Sequence, residues 1–581
     1  MGRIRLLGFS GEIPRAQPTQ LPDAGAQYAL NARLENGALV PFRRSRLVRR
    51  FSEAAPGSIR SIYLHQGEWL RWSAAVNAAP GPVAQDRLYF TGDGEPKMRV
   101  GGKVYSLALP YPVVSLYGAV LGTPTSTDVT TRVYAYTYVT QFGEESEPSP
   151  VSAEVDWRPG QTVTLSGFQK PPGKRGITKQ RIYRSQTSAG GITTLNFIAE
   201  RDASAGSFID NIGVDDFGEV IPSQDWNAPP STLSGLISLP NGMMAAFTGR
   251  DLYFCEPWHP HAWPEKYVLT TDYPIVALGA FGTSIVVATT GHPYIVSGTA
   301  PESMVMERLE LNLPCINAAG MVDLGYSVAY PSVDGLVSVS SSGAQVVSSP
   351  LMSKNDWQKF NPSTFISGQV QGRYFASYEY IDAGTVRTGS ILFDLSGSTP
   401  FLIRTNATAD AVYFDVPSST LYLLRDVEVH EFDAQGQPYE SMTWRSKQFV
   451  VPHIEPSFGC ILVRPLEVKS AAKMRAEAAQ RATIIAANAA KLSSPLGGEI
   501  AGSSFNAYTV NGDLLEPVPQ AKEIVVSLIV DGVTVYSTSA LNEIRRLPAG
   551  YRGETVEIEV TGTAEISEIR VATSMDEVGQ A

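Results

Sequence analysis

Cysteine is scarce in this chain, and the few cysteines lie far apart. The 581 residues include three, Cys255, Cys315 and Cys460, and no CxxC pair. An odd and scattered set lacks the pairing of a disulfide framework and the close spacing of a metal site. We therefore interpret all three as buried thiols of a protein made in the cytosol, and we expect neither a metal nor a cofactor.

Long apolar runs are missing too. No stretch approaches the roughly 18 apolar residues of a membrane-spanning helix, and the apolar part of Met1–Phe9 is too short for a secretory signal. We therefore expect no membrane span. If the protein leaves a cell, assembly into a particle released by lysis is one route that needs no signal.

Positive charge is in deficit. Lysine and arginine number 46 against 57 aspartates and glutamates, which gives a net charge of −11. A general nucleic-acid binder needs an excess of basic residues to neutralise phosphates, so this class is disfavoured. A channel through which DNA slides remains compatible, because an acidic wall repels phosphates and prevents sticking.

The motifs of common enzymes are absent as well. The chain has no Walker phosphate loop, no GxSxG and no HExxH. Ser332–Gly335 (SVDG) is the nearest approach to the SxDxGxxW turns of sialidase-type propellers, but its glycine comes one position early and no tryptophan follows. We therefore predict a protein that is not an enzyme, with no catalytic residue to name.

What the sequence does contain is a spaced series of hairpins. Five strand–turn–strand segments start about 40–45 residues apart, which is the length of a four-stranded propeller blade. These segments are 243–255, 284–297, 327–339, 373–394 and 412–424. With 62–72 and 87–91 as one further blade, they predict a mainly β fold built on a β-propeller of about six blades. The alternative is an antiparallel sandwich array, which also gives short strands and regular turns.

The hairpin series is interrupted between residues 118 and 225. Thr131–Thr140 alternates strongly, and about seven short strands in roughly 100 residues predict a β-sandwich similar to fibronectin type III. We interpret it as an insertion into the propeller. Its basic residues suggest a solvated face or a partner contact, and they are Lys170, Lys174, Arg175, Lys179, Arg181 and Arg184.

The last part of the chain has a different character. Residues 468–492 predict a long alanine-rich helix, and strands are expected at 523–530, 533–537, 555–560 and 565–572. The predicted organisation is therefore an N-terminal docking arm (1–50), a first propeller part (51–117), the inserted sandwich (118–225), the main propeller part (226–455) and a C-terminal helix-plus-β domain (456–581).

Two places carry candidate binding residues. In the helix, small alanines permit close approach of neighbouring backbones, and Lys473, Arg475 and Arg481 are candidates for DNA or subunit contact. The alternative is a helix lying on its own domain.

The second place is the loop Cys255–Pro264, which combines two histidines with three prolines. Because no second ligand pair lies nearby, we favour a rigid packing or subunit-contact loop over a metal site. Its candidate residues are Trp258, His259, His261 and Trp263.

The N-terminal segment supplies a resemblance. Gly11–Arg15 (GEIPR), Leu21–Gln27 (LPDAGAQ) and Asn31–Pro41 (NARLENGALVP) together resemble the opening of nozzle-type tail proteins of short-tailed bacteriophages. Arg87–Pro96, Glu256–Pro264 and Leu547–Arg552 resemble recurrent segments of phage structural proteins. The inserted sandwich and the basic helix have no match in that pattern.

The resemblance implies a ring, expected to be a hexamer, in the virion tail below the portal and adaptor. Its implied partners are copies of itself, the adaptor and portal-proximal proteins, tail fibres or spikes, and the packaged double-stranded DNA that passes through the lumen.

Residues 11–41 have the properties of a docking segment, because Pro14, Pro18 and Pro22 keep the chain extended. A short helix is expected over Asp23–Leu34. The alternative is that the segment closes the last propeller blade. Candidate docking residues are Pro14, Arg15, Pro22, Asp23, Asn31 and Arg33.

The sequence therefore favours a structural tail protein that continues the DNA channel and retains DNA until ejection. The second hypothesis is a tail-tip or receptor-binding protein that recognises host surface glycans through the propeller or the sandwich. A propeller-type polysaccharide hydrolase ranks third.

Overall fold

The computed structural model describes residues 3–34, 36–173, 175–187, 191, 193–382, 384–395, 400–451, 458–468, 471–493, 516 and 518–579. The chain is mainly β, as the sequence predicts, and its strands form many small sheets. No helix in these ranges combines the length and the apolar character that crossing a bilayer requires.

The first 50 residues form five strands that belong to four different sheets. They are β1 (Arg3–Leu7), β2 (Ala26–Leu30), β3 (Ala32–Arg33), β4 (Val40–Pro41) and β5 (Arg46–Arg50).

Six strands follow in two sheets. A hairpin, here called sheet 1, contains β6 (Ser61–His65) and β7 (Glu68–Trp72). Sheet 2 has four antiparallel strands, β8 (Asn77–Pro80), β9 (Arg87–Thr91), β10 (Lys97–Val100) and β11 (Lys103–Ser106). The segments 62–72 and 87–91, expected in one blade, therefore lie in two sheets. The segment Ser73–Val76 leads out of sheet 1, and directly after it β8 begins sheet 2.

Residues 117–210 form three small sheets around their own core, which contains Tyr134, Tyr136 and Phe168. Their strands are β12 (Tyr117–Leu121), β13 (Thr130–Arg132), β14 (Tyr134–Thr140), β15 (Val155–Trp157), β16 (Thr162–Ser166), β17 (Ile177–Thr187), β18 (Thr193–Asp202) and β19 (Phe208–Asp210). We call this part the middle region.

The hairpin series then resumes. Sheets 3, 4 and 5 each have four consecutive antiparallel strands. Sheet 3 contains β20 (Ser234–Ser238), β21 (Met244–Thr248), β22 (Asp251–Phe254) and β23 (Leu269–Thr270). Sheet 4 contains β24 (Ile275–Phe281), β25 (Ser284–Thr289), β26 (Tyr294–Ser297) and β27 (Val305–Arg308). Sheet 5 contains β28 (Val322–Asp323), β29 (Val328–Pro331), β30 (Leu336–Ser340) and β31 (Gly343–Val346).

A short helix, α1 (Lys354–Lys359), leads to sheets 6 and 7. Sheet 6 contains β32 (Ile366–Val370), β33 (Arg373–Asp382), β34 (Thr385–Asp394) and β35 (Phe401–Thr405). Sheet 7 contains β36 (Ala411–Asp415), β37 (Thr420–Arg425) and β38 (Glu428–Glu431), and the N-terminal strand β5 is its fourth strand.

The first strands of these sheets contact one another in series. β8 contacts β20, β20 contacts β24, and the series continues through β28, β32 and β36 to β6. Sheets 1 and 2 meet through the rings of Trp72 and Phe90, whose centroids are 5.4 Å apart. The series of contacts therefore returns to the sheet where it began.

The C-terminal strands do not stand apart from the rest. They are β39 (Met442–Ser446), β40 (Phe449–Val450), β41 (Cys460–Pro465), β42 (Ile524–Val530), β43 (Val533–Thr538), β44 (Arg545–Arg546), β45 (Thr555–Gly562) and β46 (Ile566–Ala572). β39, β45, β42 and β43 extend sheet 6 through β2, while β41 and β46 pair in a second sheet with β1. Between β41 and β42 lies the long helix α2 (Ala471–Ser493), and α3 (Met575–Gly579) ends the described chain.

The N-terminal segment is therefore not a free arm. β1 pairs with β46, β2 with β39 and β35, and β5 with β38. The helix expected over Asp23–Leu34 is also wrong. Ala26, Ala29 and Ala32 are buried in the main core, and strand pairing with β39 satisfies the backbone that a helix would otherwise pair internally. The alternative, that residues 11–41 close the last propeller blade, is not what the pairing shows, because the strand that completes sheet 7 is β5 (Arg46–Arg50), outside that segment.

Candidate functional site

The long helix α2 is the most exposed element that carries candidate residues. It confirms the helix predicted over 468–492, with bounds Ala471–Ser493. Its contact with the rest of the chain runs along Arg481, Ile484 and Asn488, which are partly or fully buried. These positions are three and four residues apart, so they share one face of the helix. The Asn488 amide donates to the Glu516 carbonyl (2.7 Å) and its Oδ1 accepts from the Glu516 N–H (2.9 Å).

The opposite face of α2 consists mainly of alanine and carries one arginine. Arg475, Ala479, Ala482 and Ala486 are exposed and recur at intervals of three and four residues. Alanine is the best helix former, but it buries little area, so this face adds little to packing on its own chain. A flat alanine face lets another backbone approach closely.

The three basic candidates of α2 have different surroundings. The Lys473 ammonium lies 3.2 Å from the Glu467 carboxylate, and the Arg481 Nε donates to the Pro519 carbonyl at 3.1 Å. Arg475 has no ion pair or hydrogen bond with the residues that the structure describes. Arg475 also stands on the alanine face, whereas Arg481 belongs to the opposite one. Arg475 is thus the candidate best placed for an external acidic group.

The loop Cys255–Pro264 is an internal packing element. Trp263 is buried and its indole N–H donates to the Pro260 carbonyl at 2.8 Å. His261 is buried as well, and its Nε2 lies 3.0 Å from the Glu145 carbonyl of the middle region. Burial lowers the pKa of His261 to about 4, so the imidazole is neutral near pH 7. The loop therefore fastens the middle region to sheet 3.

The other two residues of the loop lie nearer the surface. Trp258 is 55% exposed, and its ring packs over Gly242, where an added Cβ would come within 2.6 Å of the ring. The rings of His259 and Trp226 are 4.3 Å apart. Within the described ranges, no group of three or more His, Cys, Asp or Glu side chains is arranged to hold a metal ion. Burial raises the pKa of the Cys255 thiol to about 12, which keeps it protonated.

Sequence reasoning missed a polar cluster beneath this loop. Arg175 and Glu144 are both buried and form an ion pair at 2.9 Å. Arg181 contacts Glu145 at 2.8 Å, and the Tyr183 hydroxyl donates to the same carboxylate at 2.6 Å. The basic run of the middle region is therefore not a uniformly solvated face, since Arg184 is also buried against Asp210 (2.7 Å). Lys174 lies outside the described residues.

The GEIPR motif has an internal role. The Glu12 carboxylate is buried, accepts from the Ala29 N–H at 2.9 Å and pairs with the Arg404 Nε at 3.0 Å. Burial raises the pKa of Glu12 even though Arg404 opposes the shift. Gly11 is required because a Cβ there would come within 2.4 Å of the Leu402 carbonyl oxygen. The motif thus fastens the N-terminal segment to β35.

The remaining N-terminal candidates also contact their own chain. The Asn31 amide donates to the Ser441 carbonyl and its oxygen accepts from the Asn406 N–H, both at 3.1 Å. Arg33 pairs with Asp433 at 3.0 Å and Asp23 with Lys447 at 3.0 Å. The Arg15 N–H donates to the Leu351 carbonyl at 2.7 Å. Pro14 and Pro22 are exposed. No signal in the sequence distinguishes these internal contacts from external ones.

The comparisons with known proteins give no family. No family model and no curated protein matches the chain. Among solved structures, the N-terminal domain of Nup159 matches at 8% identity and a TM-score of 0.20, covering 48% of this chain and 66% of that domain.

Two further solved structures match equally weakly. The extracellular domain of a putative hybrid two-component system from B. thetaiotaomicron matches at 8% identity and a TM-score of 0.21, covering 67% of this chain and 52% of that one. The AfRom2 CNH domain matches at 8% identity and a TM-score of 0.18, covering 60% and 99%. The chain thus spans about two thirds of the Nup159 domain and about half of the two-component domain. Likeness at this level carries no argument about function.

Proposed function

We propose that this chain is a structural protein of a short-tailed bacteriophage, and that it forms a nozzle or hub ring continuing the DNA channel below the portal and adaptor. Its partners would be copies of itself, in a ring expected to be a hexamer, with adaptor proteins above and tail fibres or spikes around it. Packaged double-stranded DNA would pass through the lumen and be retained there until ejection.

The proposed body of this ring protein is a β-propeller of seven sheets, rather than the six blades that the sequence suggests. The serial contacts from β8 through β36 to β6 support it. The position of β5 supports it further, because an N-terminal strand that completes the last sheet joins the two ends of the circle. A propeller serves many functions, so the fold alone does not carry the tail assignment.

The observation that carries the ring is the exposed alanine face of α2. Within one chain, Ala479, Ala482 and Ala486 contact little, although a helix of this length is stabilised in proteins mainly by packing. Helices from neighbouring subunits, packed side by side around a channel, would cover this face. Arg475 would then lie beside the lumen, where a single positive charge can contact DNA in an otherwise acidic protein.

The test is the assembly state of the full chain and of two variants. Ala482→Glu places a charge in the centre of the proposed helix contact, where an unpaired buried charge costs about 3–5 kcal/mol. We expect the wild-type chain to form a ring in native mass spectrometry and cryo-EM, and Ala482→Glu to remain monomeric with an unchanged melting temperature. Gln480→Glu adds the same charge on the flank of the helix and should leave the ring intact. A wild-type chain that stays monomeric at micromolar concentration and in virions would contradict the proposal.

One observation favours glycan recognition as a second candidate function. The outer face of the sheet β12–β16–β19 carries Tyr117, Leu121 and Ile209, each more than half exposed. Their cross-strand neighbours Thr162 and Thr164 are hydroxylated, and no charged residue shares these rows. Exposed apolar surface of this kind often marks an interaction site. Binding of the isolated protein to host cells, lost on deletion of 118–225, would favour this candidate over the ring.

A further inference from the structure

Sheet 1 is the incomplete member of the series. Sheets 2 to 5 and sheet 7 have four strands each, and sheet 6 has four before β2 extends it, whereas among the described residues sheet 1 consists of β6 and β7 alone. Its neighbour, sheet 7, extends two strands further, to β38 and β5. Space for added strands therefore lies beside β7, opposite the outer half of sheet 7.

The outer edge of β7 has backbone N–H and C=O groups that can bond to a further strand. Gln66 (φ 52°) and Gly67 (φ 79°) form a two-residue turn with two left-handed residues, which is the type I′ hairpin turn. In such a hairpin the pair next to the turn is hydrogen-bonded, and the pairs alternate from there. Trp69 and Arg71, which face Leu64 and Ile62, therefore direct their N–H and C=O groups to the open edge. Neither backbone has a partner there among the described residues.

The side of this space formed by sheet 7 is aromatic. The Trp69 ring lies 4.9 Å from the Tyr422 ring and 5.9 Å from the Tyr413 ring, centroid to centroid, and all three residues are half-buried. In sheet 7, Tyr422 is paired with Glu431, and Glu431 with Arg46, so the same face continues outward. Phe51 and Ile59 cover the other end of this face of sheet 7, near Val429. What remains is a trough beside β7 with an aromatic and polar floor.

The trough has an excess of positive charge. Its surroundings include four arginines, Arg46, Arg49, Arg60 and Arg71, and three carboxylates, Glu53, Asp415 and Glu431. Arg46 pairs with Glu431, and Arg71 lies 4.0 Å from Glu53. Arg49 and Arg60 have no carboxylate within 4.0 Å in the described part of the chain. Because the chain as a whole has a net charge of −11, this local excess indicates a negatively charged partner.

We propose that the open edge of β7 is a docking site for an extended acidic segment of another protein, which adds to sheet 1 as a third strand. Main-chain hydrogen bonds from Trp69 and Arg71 would supply affinity, and alternate side chains of the partner would contact the aromatic floor and the arginines. A second copy of this chain fits less well, because its edge strands β11, β31 and β43 contain no acidic residue, and the acidic residues of its edge strands β18 and β27 stand next to arginines in the sequence. This proposal does not depend on the tail assignment.

The probe is a fluorescein-labelled peptide in which glutamate alternates with valine and threonine, titrated with the full chain by fluorescence anisotropy. We expect saturable binding that weakens as salt is raised, since the charged contacts are exposed. A peptide with lysine in place of each glutamate is the control and should not bind. Equal binding of both peptides, or no binding of the acidic one at about 1 mM chain, would overturn the proposal.

Two substitutions at Arg71 separate main-chain bonding from charge. Arg71→Ala keeps the outward N–H and removes a half-exposed charge, and we expect about a two- to fivefold loss of affinity. Arg71→Pro also removes the outward N–H without removing a bond to β6, and edge strands tolerate proline. We expect a further loss of about tenfold, which is the effect of one hydrogen bond.

Melting temperatures of both variants within a few degrees of wild type show that sheet 1 is intact. Equal affinities of Arg71→Ala and Arg71→Pro would overturn strand addition. If the chain instead self-associates and Arg71→Pro abolishes this, the edge belongs to a second copy and the foreign partner is wrong. Should Arg71→Pro fail to fold, Trp69→Ala and Arg46→Ala replace it, and full affinity in both would overturn the site.

Discussion

The N-terminal segment and the helix α2 differ in where their distinctive residues are used. Residues 11–41 carry the motifs on which the expected family resemblance depends, and the structure uses these residues internally: Glu12 pairs with Arg404, and Asn31 bonds to Ser441 and Asn406. α2 carries no such motif, yet most of its described side chains are exposed. The motif residues of the N-terminal segment therefore stabilise the fold of this chain. We expect its contacts with other molecules on surfaces that carry no such motif.

The largest effect is expected at Glu12. Replacing it by Ala leaves Arg404 without its buried partner and the Ala29 N–H without an acceptor, which costs about 3–5 kcal/mol of unfolding free energy. Because burial already raises the pKa of Glu12, the neutral Glu12→Gln should cost less than Glu12→Ala. Urea denaturation measures both. A cost below about 1 kcal/mol for Glu12→Ala would show that the motif does not stabilise the fold. It would contradict the difference between the N-terminal segment and α2.

His261 tests the same internal role through pH. Its pKa in the folded chain, about 4, lies below the ordinary value of 6.5. As pH falls from 6.5 to 4, the unfolded chain takes up a proton that the folded chain does not, so unfolding becomes easier by about 3 kcal/mol. His261→Gln should flatten this part of the stability curve. An unchanged slope in that variant would place the pH dependence elsewhere.

A smaller effect is expected at Asn31. Its φ of 52° is left-handed, a conformation that asparagine tolerates better than alanine. Asn31→Ala also removes two buried hydrogen bonds, and we expect a loss of about 2–3 kcal/mol in urea denaturation. Asn31→Gly keeps the backbone conformation accessible and should recover part of that loss. If the two variants are equally stable, the backbone conformation contributes nothing.

The smallest effect on stability is expected on α2. Arg475→Ala should change the unfolding free energy by less than about 0.5 kcal/mol, because the side chain is exposed. If Arg475 contacts DNA in the assembled ring, the same variant should lower the slope of DNA affinity against salt by about one. Lys473→Ala, whose ammonium is next to Glu467, is the control and should change this slope less. A destabilising Arg475→Ala would make α2 an internal element like the N-terminal segment.

Local sequence patterns predicted the strands well. All five spaced hairpins are present, with strands such as β25 (Ser284–Thr289) and β37 (Thr420–Arg425) close to the expected bounds, because alternating apolar residues and glycine turns are local signals. The long helix is present for the same reason. Alanine has the highest helix propensity, so its frequency in this segment is a local signal for a helix.

Pairings between distant residues could not be predicted. The partners β5 and β38 are separated by most of the chain, and nothing in Arg46–Arg50 marks β38 as its neighbour. The helix expected over Asp23–Leu34 fails for a related reason, since tertiary pairing with β39 overrides local propensity. The polar cluster of Glu144 and Arg175 likewise depends on the packing of the middle region against sheets 2 and 3.

The assembly state of the full-length chain tests the central claim most directly. Native mass spectrometry at micromolar concentration, with virions examined in parallel, should give one closed species, expected at six times the 62.7 kDa of the chain. Ala482→Glu should return it to a single folded copy. A wild-type protein that remains one copy under both conditions would contradict the account.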